Sequence, residues 1–314
     1  MYEQIAKNRA KTVFIIIGFV VFITMVGFAL GYYMDYRYGV GSYNSIFFMV
    51  FALLIAVVMS FSSYYYSDKI VLGLTGARPI SRDENPRIYY MVEGLSIAAG
   101  LPMPQIYMIE DNGMNAFTTG RNPQNSVVVF TRGLLDNLND EELKGVISHE
   151  LSHIKNYDIL LGTIVVIFVG MVSIISNIIL RSFFFGGGKK KSGGSLGGGK
   201  LAIIFLILGL VLLILSPIIA TLIRLAISRN REFLADSTGA LISRYPAGLA
   251  NALKKISNFS EVKTASNATA HLFIADPFGS KKKAFFSSLY NTHPPTEERI
   301  KRLENMSLGV EIYK

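Results

Sequence analysis

The sequence predicts an integral membrane protein of the α+β class, with two transmembrane helical hairpins and a polar domain that the second hairpin splits in two. Three observations carry this expectation. Hydrophobic residues make up 51% of the 314 residues and charged residues only 17%, where an ordinary soluble domain has about 25% charged. The chain contains apolar runs close to the roughly 20 residues that a helix needs to cross a bilayer. The polar stretches around the later runs carry helical and strand-like periodicities instead. The expected divisions are 1–66 for the first hairpin, 67–158 for the first half of the polar domain, 159–226 for the second hairpin and 227–314 for the second half.

The elements follow in order. Lys7, Arg9 and Lys11 precede a charge-free apolar run at 13–33, too long for the core of a cleaved leader and without an evident cleavage site. A short polar link with Asp35 and Arg37 leads to a second run at 46–61, closed by Tyr64, Tyr65 and Tyr66 where an interfacial aromatic belt belongs. Charge returns at Asp68 and Lys69. Residues 85–98 fit a helix, and 106–109, 116–119 and 127–130 read as short strands, the last two joined through Gly120, Asn122 and Pro123. Asn139 and Glu142 form a capping box for a helix whose buried face is Leu143, Val146, Ile147, Leu151 and Ile154. Apolar runs at 159–180 and 201–223 bracket a Gly- and Lys-rich segment, 186–200, that has no side chains for a core and no phosphate-binding pattern. The remainder is polar and helical.

The net charge of +9 favours an anionic membrane surface over nucleic acid, because the basic residues flank apolar runs. The chain has no cysteine, which excludes disulfides and thiolate chemistry and leaves histidine and carboxylate for any metal.

His149-Glu150-Leu151-Ser152-His153 is H-E-x-x-H on the capped helix. Residues four apart share a helix face, so both imidazoles can reach one ion, and Glu150 can act as general base on a metal-activated water. A catalytic zinc needs a third protein ligand. In Arg229-Asn230-Arg231-Glu232-Phe233-Leu234-Ala235-Asp236, a helix would put Glu232 and Asp236 on one face. Glu232 could then ligate the metal while Asp236 holds a ligand histidine. On spacing alone, a solvated helix with charges at i, i+4 explains this segment as well.

H-E-L-S-H, followed by a spanning hairpin and S-R-N-R-E-F-L-A-D, resembles the HtpX-type membrane zinc metalloproteases, relatives of the prenyl-protein endopeptidases. The similarity covers nearly the whole chain and includes Asn115-Ala116-Phe117 and Thr292-His293-Pro294-Pro295 with Arg299. It implies a split, zincin-like glutamate-ligand domain binding one Zn²⁺ per chain through His149, His153 and Glu232. It also implies that Asp236 partners a ligand histidine. The family's usual chemistry is proteolysis of membrane-associated or misfolded polypeptides at the cytoplasmic face of the bacterial plasma membrane, in stress response and quality control. Asn115, Ala116 and Phe117 resemble an edge strand to which a substrate adds by β-augmentation, with Phe117 as a core residue the competing reading. His293 could donate to the developing oxyanion or be structural. Asp158 is either a partner of the metal helix or a polar boundary, and His271 has no recognisable context. Lys281, Lys282 and Lys283 beside Phe285 and Phe286 suit either a lipid surface or solvent.

Basic residues before the first run put the N-terminus inside, so two crossings return the polar domain to the cytoplasm. Both halves of a metal site must share one side, which sends 181–200 outside despite its lysines and Arg181. A membrane scaffold or transport protein with a non-catalytic metal site is the alternative. It is disfavoured by the intact Glu150 and by charges that cluster outside the spans. A prenyl-peptide processing enzyme would need more spanning helices than this chain can supply.

Overall fold

The computed structural model describes residues 2–39, 41–168, 170, 229–258, 261–266, 269–278 and 294–308. Helix α1 (Tyr2–Tyr38) and helix α2 (Tyr43–Tyr65) form an antiparallel hairpin. Both are long and apolar enough to cross a membrane, over Ala10–Tyr36 and Tyr43–Tyr65. Phe14, Ile17, Phe47 and Val58 are among many side chains left exposed, as a lipid-facing surface requires.

Small residues set the contact inside the hairpin. A Cβ on Gly27 would stand 2.4 Å from Ala52 Cβ, and one on Gly31 would stand 2.3 Å from the Asn44 carbonyl oxygen. Gly27 and Gly31 are four apart, the spacing that lets two helix backbones approach in lipid. The carboxylate of Asp35 accepts the backbone N–H groups of Asn44 (2.9 Å) and Ser45 (2.7 Å) and the Ser45 hydroxyl. It therefore caps the first turn of α2 from the neighbouring helix. The expected polar link is shorter than its composition suggests, because α1 continues through Asp35 and Arg37.

Helix α3 (Ser67–Thr75) follows at Tyr66 and ends on left-handed Gly76. Arg121 binds the Tyr65 carbonyl at 3.2 Å and lies over its ring, fastening the polar domain to the end of α2. Helix α4 (Pro86–Ala99) is capped by the Asn85 side chain and closed by left-handed Gly100.

A mixed sheet has the order β1 (Arg78–Pro79), β2 (Gln105–Ile109), β4 (Asn125–Thr131), β3 (Ala116–Asn122). β2 is parallel to β4, and the other pairings are antiparallel. The two-residue β1 was not expected from the sequence. Helix α5 (Arg132–Asn137) leads into α6 (Asp140–Lys155), whose capping box of Asn139 and Glu142 is present as expected. The chain then turns through Tyr157, at φ 58°, into helix α7 (Ile159–Phe168), bent 85° from α6.

Helices α8 (Arg229–Ser243) and α9 (Pro246–Ser257), a 3₁₀ turn at Ala270–Leu272 and helix α10 (Thr296–Ser307) complete the described part. One core joins both halves of the polar sequence: Ile88, Val92, Phe130, Val146 and Leu151 with Leu249, Leu253 and Leu303. The second expected hairpin lies outside the described residues beyond α7, as does the segment 186–200.

Candidate active site

Helices α6 and α8 cross in close contact because small residues sit where they meet. A Cβ on Gly239 would lie 2.9 Å from the His149 nitrogen, so any side chain there would push the helices apart. Ser152, the fourth residue of the motif, donates to the carbonyls of His149 (2.6 Å) and Ala235 (3.0 Å). This approach delivers Glu232, on the first turn of α8, to the histidine pair.

The Nε2 atoms of His149 and His153 are 3.1 Å apart, and the Glu232 carboxylate comes within 3.8 Å of each. One potential ligand atom from each residue lies within 4.8 Å of the others. Two nitrogens at about 2.0–2.1 Å from one tetrahedral zinc stand about 3.3 Å apart, so the arrangement fits such an ion.

The far ring nitrogens are also engaged. His149 Nδ1 is 3.0 Å from Asp236 Oδ1, and His153 Nδ1 is 3.3 Å from Asp158 Oδ2. Each carboxylate favours a proton on Nδ1, which makes Nε2 the atom that a neutral ring offers to a cation. Asp236 is held in turn by a bidentate fork from Arg299, at 2.9 and 2.7 Å, while Arg299 Nη1 donates to the Ile274 carbonyl at 2.7 Å. Arg299 is only 1% exposed. The sequence showed it as part of a motif but gave it no task.

Glu150 is buried beside the pair and accepts a 3.1 Å hydrogen bond from the Thr118 hydroxyl. Burial pushes its carboxyl up to about 7, with the Glu232 charge adding to the effect. Burial pushes His149 down to about 4, helped by the charges of Arg299 and His153. Burial also opposes a charge on His153, but the carboxylates of Asp158, Glu232 and Glu150 outweigh it and hold this ring up to about 9. The difference marks His153 as the ring whose proton a metal ion must displace.

The other expected site residues fall in several places. β3 is an edge strand, but its start is engaged within the chain. The Ala116 carbonyl accepts the Ile274 N–H at 2.9 Å, and the Asn115 amide binds the Ala275 carbonyl at 3.0 Å. Phe117 is fully buried, edge-on to Phe273 at 5.1 Å. Asp158 does meet the metal helix, through His153. His271 lines the same cleft with Nε2 3.2 Å from the Gly162 carbonyl, outside the three-residue cluster. His293, Lys281, Lys282, Lys283, Phe285 and Phe286 lie outside the described residues.

Comparison with known proteins bears on the same site. Residues 82–307, which span α4 through α10, match Peptidase family M48. The chain belongs to this family. It is 43% identical over 306 residues to a protease HtpX homologue of Dictyoglomus turgidum, covering 97% of this chain and 94% of that one. It is 44% identical over 307 residues to one from Streptococcus pyogenes serotype M28, covering 98% and 100%. The crystal structure of S. mikatae Ste24p gives a TM-score of 0.48 at 17% identity, covering 97% of this chain and 67% of that one. This M48 protein is a membrane-associated peptidase, and the scaffold or transport alternative is not favoured.

Proposed function

We propose that this M48 protein is a zinc-dependent endopeptidase of the bacterial plasma membrane, cleaving membrane-associated or unfolded polypeptides at the cytoplasmic face in protein quality control. The observation that carries this is the convergence of His149, His153 and Glu232 on one point, with both histidines backed by carboxylates and Glu150 alongside. Zinc, when bound there, supplies Lewis acidity that brings water near neutrality in pKa. Glu150, a carboxyl that burial raises in the metal-free site, takes the proton from the attacking water and delivers it to the leaving amine. Thr118 orients that carboxyl. Asp236 and Asp158 keep the ligand rings turned toward the metal.

An extended substrate that adds along β3 must either displace residues 273–275 from Ala116 or pair beyond them at Thr118. His293 would serve as an oxyanion donor. The expected division of the peptidase domain into 67–158 and 227–314 is supported by the core that both segments share.

The test is cleavage of an unfolded model protein by purified full-length enzyme in detergent, for wild type and Glu150→Gln, each with chelator and with restored zinc. Zinc-restored cleavage by wild type alone, with zinc still bound by the variant, is the expected result. Equal cleavage by both proteins, or none by a zinc-loaded and folded wild type, sinks the proposal.

A further inference from the structure

The start of α1 reaches the metal centre. A helix of 37 residues is about 55 Å long, well beyond the roughly 30 Å of a hydrocarbon core. Its first turns therefore extend into the polar domain, and there Asn8 is 7% exposed. The Asn8 amide donates to Asp158 Oδ1 at 2.7 Å and to the Asn156 carbonyl at 3.2 Å. Its oxygen accepts from Arg231 Nη2 at 2.8 Å, and Arg231 Nε pairs with the same Asp158 oxygen at 3.0 Å. The ring of amide, carboxylate and guanidinium is closed, and the other Asp158 oxygen faces His153 Nδ1 at 3.3 Å.

Three features give this cluster a task beyond anchoring. Asn8 grips both residues that flank Tyr157, a non-glycine residue at φ 58°, a conformation that persists only when its surroundings enforce it. Arg231 directly precedes Glu232, so the cluster reaches the helix of the third candidate ligand as well as the helix of the first two. Only a side chain that both donates and accepts can answer a carboxylate on one side and a guanidinium on the other. Apolar packing continues the contact down α1, where Ile15 packs with Leu161 and Ile164 and the rings of Phe19 and Phe168 stack at 4.0 Å.

We propose that Asn8 is a positioning residue for the metal centre: through Asp158 it fixes the ring of His153, and through Arg231 it fixes the start of the helix carrying Glu232. The membrane helix α1 thereby sets the spacing between the ligands of α6 and α8. This rests on the metal reading given above.

The experiment uses the full-length protein in detergent and compares wild type, N8A, N8L, D158N and N8A/D158N. Zinc affinity is read by chelator competition, ligand geometry by the visible absorption of the cobalt-loaded protein, and integrity by thermal unfolding of the metal-free form. N8L keeps the branched shape and heavy-atom count of asparagine and favours the helix more strongly, so it reports even where N8A is poorly folded. The expected result is a 10- to 100-fold weaker zinc affinity in N8A and N8L. An altered cobalt spectrum should accompany it, and the loss in the double variant should fall short of the sum of the two single losses, because only the Arg231 route is left to Asn8 once Asp158 is gone. Wild-type affinity and spectrum in N8L, or losses that add in the double variant, would overturn the proposal and leave Asn8 as an anchor. A folded wild type that takes up no zinc would overturn the metal reading and this proposal together.

Discussion

Arg299 is the largest fully buried side chain in the described structure, and its fork on Asp236 couples α10 to the ring of His149. Removing one partner of a buried, hydrogen-bonded ion pair costs about 3–5 kcal/mol, because the other charge stays buried. Arg299→Met is therefore expected to lower the unfolding temperature sharply and to loosen zinc binding. A variant that unfolds with wild type and holds zinc equally well would show the fork to be idle. His153 gives a second prediction. Its folded, metal-free pKa is raised to about 9, so below that pH zinc must displace a proton. Zinc affinity should fall about tenfold or more per pH unit from 9 downward, with at least one proton released per zinc near pH 7, measurable by calorimetry in buffers of different ionisation enthalpy. Binding without proton release contradicts it. His149, His153 and Glu150 were legible in the sequence because one helical repeat brings them together. Arg299 was not, since its meaning depends on meeting Asp236 from another helix, 63 residues away.

The site depends on how closely α6 and α8 approach, and glycine fixes that distance. A Cβ at Gly239 would fall 2.9 Å from the His149 nitrogen and 3.0 Å from its Cα, both of them backbone atoms that cannot swing aside. Gly239→Ala should cost about 1–3 kcal/mol as an overpacked contact, and should cut kcat/KM more than stability because Glu232 moves with α8. Gly94 is the control: it lies inside α4 with nothing within 4 Å of its absent Cβ. Gly94→Ala should stabilise by about 0.5–1 kcal/mol with activity unchanged. Thermal unfolding and peptide-cleavage kinetics on both variants decide it, and equal behaviour of the two would refute the close-approach argument. The Asn139–Glu142 box made α6 legible and the spacing of apolar residues made α4 so, while the Asn85 cap and the Gly100 stop of α4 came with the structure. The sharp turn from α6 into α7 was not legible, because Tyr157 takes a left-handed conformation without the glycine that usually announces one.

Across the whole molecule, the order of polar and apolar segments gave the hairpin of α1 and α2, while the docking of α1 on α7 and on the turn between α6 and α7 came only with the structure. Asn8 and Asp158 are 150 residues apart, and no periodicity reports such a meeting. Orientation in the membrane can be tested with the same economy, because the chain has no cysteine and each introduced thiol is then unique. Tyr43, at the tip of the hairpin, is 80% exposed, and Ile97, on the outer face of α4, is 75% exposed. Both tolerate substitution without disturbing a core. With Lys7, Arg9 and Lys11 holding the N-terminus inside, Tyr43→Cys should react with a membrane-impermeant maleimide in intact cells. Ile97→Cys should react only after lysis. A third reporter, Ser195→Cys, tests the pair of apolar runs at 159–180 and 201–223. Labelling in intact cells means that the basic segment is carried across against its charge bias, and protection means that the second pair does not span. Labelling of Ile97→Cys in intact cells would put His149, His153 and Glu232 outside the cell. That would sink the cytoplasmic assignment while leaving the metal chemistry intact, since nothing in the geometry of His149, His153 and Glu232 depends on which side they face.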